Sequence, residues 1–192
     1  MTGATCFRRI ERRGLALLSL LGAMSGCAGS PLGPHTADAA STVGGLSQAL
    51  VALGPAVDPD EARRAAWLIV RRASELEAEY GRVVSPRLHN LLVNAGLRRR
   101  GLCCHFAEDL IKAFRSSNLA TLEVHWAVAR HGDPLREHSG VIVTPAGGDW
   151  REGVVIDAWR KGGRVFWTGA TEDRYPWRRH PLSGDWDELH CL

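Results

Sequence analysis

At 192 residues, 45% hydrophobic and 23% charged, the chain is long enough to bury one substantial core and short for two ordinary domains. Its 21 glycines and 9 prolines at this hydrophobic content exclude collagen-like, disordered and multi-span membrane proteins. The net charge of +3 is carried by Arg8, Arg9, Arg12 and Arg13 against Glu11. The remainder is neutral and lacks the basic footprint that phosphate-backbone binding needs, so nucleic acid is not an expected partner.

Residues 1–26 have the layout of a secretory signal: an arginine-rich start, then an apolar run from Gly14 to Gly26 ending in small residues. That run is shorter than the roughly 20 apolar residues that span a bilayer. Met24-Ser25-Gly26-Cys27 resembles the lipobox of bacterial lipoproteins, which implies lipidation of Cys27; a plain cleaved signal and an uncleaved anchor are the alternatives. The expectation is export to the cell envelope, with a membrane anchor at Cys27 on the periplasmic face, in a space that permits disulfides.

Residues 27–57, rich in Ala, Gly, Ser and Pro and almost uncharged, suggest a flexible tether, with room for a short helix near Gly45 to Leu53. A single domain is expected over 58–192. Asp58-Pro59-Asp60-Glu61 is a strong helix start. Ala62, Ala65, Ile69, Ala73, Leu76 and Tyr80 then recur at steps of three and four up to Gly81. Ser85-Pro86 opens a second helix closed by Gly96, and a third follows Gly101 to about Arg115.

Beyond Ser116 the pattern alternates. Thr121 to Ala129, His138 to Thr144, Gly153 to Trp159 and Arg164 to Thr168 read as strands joined by short glycine-rich turns. Helices first and an antiparallel meander after make an α+β domain, with about four strands.

Cys103, Cys104 and Cys191 remain once Cys6 leaves with the signal and Cys27 carries lipid. One disulfide then leaves one thiol free; Cys104 with Cys191 is the expected pair, and a vicinal Cys103-Cys104 bond is the alternative. A cysteine opening a helix sits near unpaired N–H groups that favour thiolate and can hold an oxyanion, and Gly101-Leu102-Cys103 places one there. His138 begins one expected strand and Asp157 lies near the end of the next, so antiparallel pairing can bring a base and its orienting group together.

The segments G-L-C-C-H-F-A, E-H-S-G-V-I-V and G-V-V-I-D-A-W resemble the three motif segments of the transglutaminase-like and papain-like cysteine enzyme superfamily. The resemblance implies Cys103 as nucleophile, His138 as base and Asp157 as its orienting residue, on a helix packed against an antiparallel sheet. His105 stands where that pattern carries an acidic residue. Trp126, Trp159 and His125 are candidate substrate-binding residues, although tryptophan on successive strands is more commonly core.

Adjacent side chains on one helix diverge, so Cys103, Cys104 and His105 do not suggest a zinc site, and no metal or other cofactor is expected. These readings point to an exported cysteine-dependent hydrolase or acyltransferase acting on a peptide or small amide. The alternative is a non-catalytic envelope lipoprotein that keeps the fold as a binding module. Oligomeric state is left open.

Overall fold

The computed structural model describes residues 34–81, 85–133 and 136–184. The expected signal segment, Cys27 and Cys191 lie outside them. Helix α2 (Pro59–Tyr80) forms as its sequence predicts: Asp58 caps it by accepting the Glu61 N–H at 2.7 Å, proline occupies the first turn, and Gly81 ends it at a φ of 76°. Its alanine, Ile69 and Leu76 stripe is buried. Within this apolar face, Glu61 accepts the N–H groups of Thr121 and Leu122 at 2.7 and 3.0 Å, tying the helix start to the first strand.

The tether expected over 27–57 is corrected from Pro34 onward, where helix α1 (Pro34–Val51) begins. Leu46 and Leu50 are fully buried against α2, and Val57 is buried in the same core. Low charge and small residues made the segment read as a linker. The apolar side chains at Val43, Leu46 and Leu50 nevertheless follow helical spacing, and Gly45 lets Trp167 approach so closely that an added Cβ would lie 3.0 Å from its ring.

Helix α3 (Pro86–Asn94) is followed by helix α4 (Cys103–Arg115). The five strands are β1 (Leu122–Ala129), β2 (His138–Pro145), β3 (Val154–Asp157), β4 (Phe166–Gly169) and β5 (Trp177–Arg179). They form one antiparallel sheet in the order β4-β3-β2-β1-β5. The chain is thus α+β, with four helices and five strands among the described residues.

The meander extends over β1 to β4. The strand beyond the expected four is β5, whose three residues, two of them exposed arginines, are too short to show alternation. It pairs Trp177 with Ala129 across the outer edge of β1. β3 ends two residues earlier than its sequence suggests because Asp157 accepts the N–H groups of Trp159 and Arg160 on its own side chain, turning the backbone out of the ladder.

Val141, Val143, Val154 and Ile156 face Phe106, Ile111 and the other helix residues in the main core. Ile142 and Val155 point the other way, into a smaller cluster with Ala127, Ala129, Ala170 and Trp177. β2 is therefore buried on both faces, which accounts for its unbroken V-I-V run. No helix among the described residues is long and apolar enough to cross a membrane.

Candidate active site

Cys103 is the first residue of α4, and the turn that delivers it leaves no choice of residue at Gly101. That glycine has a φ of +123°, and a Cβ on it would fall 1.8 Å from Nε2 of His89. His89 is itself buried and within 3.0 Å of the Arg100 carbonyl oxygen. The free N–H groups entering the helix are met by His105, whose Nδ1 accepts from Gly101 and Leu102, each at 3.1 Å.

Burial, and then the charge of Arg100, hold the His105 pKa below its ordinary value, which keeps the imidazole neutral and its Nδ1 an acceptor. A neutral imidazole accepts hydrogen bonds at a position where a carboxylate is equally able to do so.

Cys103 is half-buried and its thiol is free. Cys104, packed against the main core, is disulfide-bonded to a partner outside the described residues, and the expected partner, Cys191, also lies outside them. Because Cys103 is free, the vicinal pairing does not occur.

His138 and Asp157 meet through strand register. Val141 opposes Ile156, so one further step opposes Gly140 to Asp157, and His138 becomes the diagonal neighbour of Asp157 on the same face. Nε2 of His138 lies 2.6 Å from Oδ2 of Asp157, with both side chains buried. The imidazole is enclosed by aromatic rings, with centroids 4.7 Å away for Tyr175, 5.0 Å for Trp159 and 5.3 Å for Trp177.

Burial alone would push the His138 pKa down. The hydrogen bond to Asp157, a side-chain hydrogen bond with Cys103 and the attraction of both groups outweigh it, and the value rises to about 9. The imidazole is then protonated at neutral pH. Burial likewise opposes the charged form of Asp157, but His138, then Arg160, hold its pKa below the usual carboxylate value.

The structure thus brings Cys103, His138 and Asp157 together at the start of α4. Compared with known proteins, the chain matches no family model, no curated protein and no solved structure. Geometry and chemistry must carry the functional reading.

Two further residues, missed in the sequence, complete the charge arrangement. Arg160 donates its Nε hydrogen to Oδ2 of Asp157 at 2.7 Å and clamps Asp173 through Nη1 and Nη2, at 3.2 and 2.5 Å. Asp173 also accepts the indole N–H of Trp177 at 2.8 Å. Arg160 is sandwiched against the rings of Phe166 and Tyr175, with centroids 4.1 and 4.9 Å from its Cζ. The D-A-W-R spacing offered a signal, because a carboxylate and an arginine three apart in a turn can pair, but Asp173 is distant in sequence.

The three substrate-binding candidates divide. Trp159 lies beside His138, and among the described residues its indole N–H, like that of Trp126, has no hydrogen-bond partner. His125 and Trp126, on β1, are both buried. Nε2 of His125 is 3.0 Å from the Thr144 hydroxyl, and Trp126 stacks on His180 with centroids 4.9 Å apart. Alternation told which residues flank a strand but not which face is covered. Among the described residues, no group of three His, Cys, Asp or Glu side chains is placed to hold a metal ion.

Proposed function

We propose that the chain is an exported cysteine-dependent hydrolase or acyltransferase with a transglutaminase-like core, anchored to the cell envelope through Cys27. The observation that carries the chemistry is a free, half-buried thiol at the first position of a helix, close enough to raise the pKa of a buried imidazole whose Nε2 is held by a carboxylate. A protonated imidazole beside a thiol favours the nucleophilic thiolate.

Because Asp157 engages Nε2, Nδ1 of His138 is the nitrogen left to exchange a proton with Cys103. The sulfur attacks the carbonyl carbon of an amide or ester, and the oxyanion that forms is held by N–H groups at the start of α4. His138 gives its proton to the departing amine or alcohol, leaving an acyl thioester on Cys103. The neutral imidazole then takes a proton from water or an acceptor amine, which attacks the thioester and restores the thiol. Asp157 keeps the ring oriented throughout, and Arg160, backed by Asp173, fixes the carboxylate; both act as positioning residues.

A second reading, a binding module that keeps the fold without turnover, is favoured by one observation. A concavity of about 580 Å³ is lined by Tyr80, Gly81 and Arg98 to Arg100 and does not include Cys103. Trapping with an acyl-donor probe, followed by peptide mapping, separates the two. The enzyme forms a hydrolysable thioester on Cys103 that disappears in Cys103→Ala and slows strongly in His138→Asn. A chain that takes up no acyl group while folded is the binding module.

A further inference from the structure

The segment Arg100-Gly101-Leu102, which delivers Cys103 to the start of α4, is gripped by two buried imidazoles, His89 from α3 and His105 from α4. Nε2 of His89 lies 3.0 Å from the carbonyl oxygen of Arg100. A carbonyl oxygen only accepts, so that nitrogen carries the proton. Nδ1 of His89 faces Nη1 of Arg98 at 3.4 Å, a group that only donates, and is therefore bare. His105 accepts the N–H groups of Gly101 and Leu102 on its own Nδ1, each at 3.1 Å, which leaves its proton on Nε2. The partners of both rings thus require them neutral.

His89 fixes the carbonyl of the turn, and His105 fixes its two N–H groups. Gly101 is buried, and a Cβ there would lie 1.8 Å from Nε2 of His89, so the turn has no slack against that ring. A proton added to Nδ1 of His105 converts an acceptor of two hydrogen bonds into a donor. The N–H groups of Gly101 and Leu102 then lose their acceptor and face a third N–H, an arrangement that buried backbone does not sustain.

We propose that His105, backed by His89, is an acid-sensitive latch on the thiol: its protonation releases the turn at 100–102 and displaces Cys103 from His138. This rests on the proposed chemistry and adds its regulation, with the site engaged at neutral pH and switched off by acid. Both histidines are positioning residues, acting through the placement of the sulfur.

The surroundings of His105 set the direction of the switch. Burial first, then the charges of Arg100 and His89, oppose a proton on the ring, while Glu108 and Asp109 favour one. Those two carboxylates are already engaged. Glu108 is paired with Arg100 at 3.2 Å and Lys112 at 2.5 Å, and Asp109 with Arg100 at 3.2 Å and with the Tyr80 hydroxyl. Tyr80 itself presents its ring to His105, with centroids 6.4 Å apart. The ring is therefore neutral at pH 7 and gains its proton only below its ordinary range.

This proton is distinct from that of the catalytic pair. His138 holds its proton up to about pH 9, so acidification leaves its charge unchanged. Loss of the thiolate takes up one proton, and opening of the latch takes up a second.

The test follows three signals on the full chain between pH 7 and 4: the ring resonances of His105, hydrogen exchange at the Gly101 and Leu102 amides corrected for its intrinsic pH dependence, and alkylation of Cys103 by iodoacetamide. The Gly101 and Leu102 amides should lose protection as His105 takes its proton, while the β2 amides keep theirs. On the acid limb, alkylation should fall about a hundredfold per pH unit in the unmodified chain, the mark of two protons, and about tenfold in His105→Asn, the mark of one. The amide oxygen of that variant accepts where Nδ1 did and does not titrate.

Protection at Gly101 and Leu102 that survives the titration of His105 overturns the inference, and this arm needs no variant. So does an acid limb of equal slope in the unmodified chain and His105→Asn. Loss of β2 protection at the same pH is unfolding of the whole domain, and overturns it as well. Acyl capture by Cys103 is measured separately at pH 7, where the latch is closed. Its absence there, with the amides and alkylation behaving as expected, refutes the chemistry and not the latch.

Discussion

Arg160 donates to Asp157 through the same carboxylate oxygen, Oδ2, that engages Nε2 of His138. The carboxylate is thus shared between a ring whose charge it supports and a guanidinium whose other end is locked on Asp173. This sharing sets the first prediction. Asp157→Asn leaves the buried imidazolium without its anion and Arg160 with Asp173 alone, at a cost of about 3–5 kcal/mol. Denaturant unfolding should show that loss, and acyl capture by Cys103 should fall by at least about a hundredfold because the ring loses its orientation. Asp173→Asn should weaken the clamp on Arg160 and lower the rate less, with the pH profile displaced. A rate unchanged in Asp157→Asn removes the carboxylate from the mechanism.

The pH dependence follows from the sign of the His138 shift. Its pKa rises on folding from 6.5 to about 9, so the folded chain holds the proton more tightly. The resulting stabilisation, on the order of 3 kcal/mol, is fully present below pH 6.5 and is lost as the pH rises through about 9. Asp157 contributes in the opposite sense, its share being lost on acidification because its pKa is lowered. Thermal unfolding between pH 6 and 10 should show a fall in melting temperature that His138→Gln flattens.

The helix start makes a separate prediction. Gly101→Ala would drive a methyl group onto His89 in a backbone conformation that side chains rarely adopt, and unfolding should register a loss of more than about 2 kcal/mol. His105→Ala should cost about 1 kcal/mol as a lost cap. His105→Asp, which supplies carboxylate acceptors, should retain most of the stability. It should also remove the acid lability of the neutral imidazole, whose contribution is lost as the pH falls through its lowered pKa.

Helix α1 belongs to the folded domain, and that too can be measured. Leu46→Ala or Leu50→Ala removes a fully buried side chain from the packing between α1 and α2, with an expected loss of about 2–5 kcal/mol. A tether would show no change in either variant.

Much of this architecture is written in local pattern. The Asp58-Pro59 start and three-and-four spacing of α2, the existence of a strand at β2, and the order of Cys103, His138 and Asp157 are all visible in one dimension, although β2 is buried on both faces where alternation was expected. Such signals survive in sequence because a helix cap, a helical stripe and a strand period depend on neighbours only a few positions away. Glycine at 101, two positions ahead of the thiol, belongs with them, although the clash with His89 that explains it does not.

What only tertiary structure decided depends on residues far apart in the chain. Residues 34–51 read as linker until α2 offers their leucines a surface, because burial and not propensity makes most helices stable. β5 exists because Trp177 finds the edge of β1, and the tie of Arg160 to Asp173 exists because two turns come together. His125 and Trp126 fell on the covered sides of the sheet, a matter of which layers pack against it. The sequence by itself determined which groups were available for chemistry; packing alone decided that the thiol and imidazole come together, since proximity in a folded chain is set by the summed burial of surfaces that no short window contains.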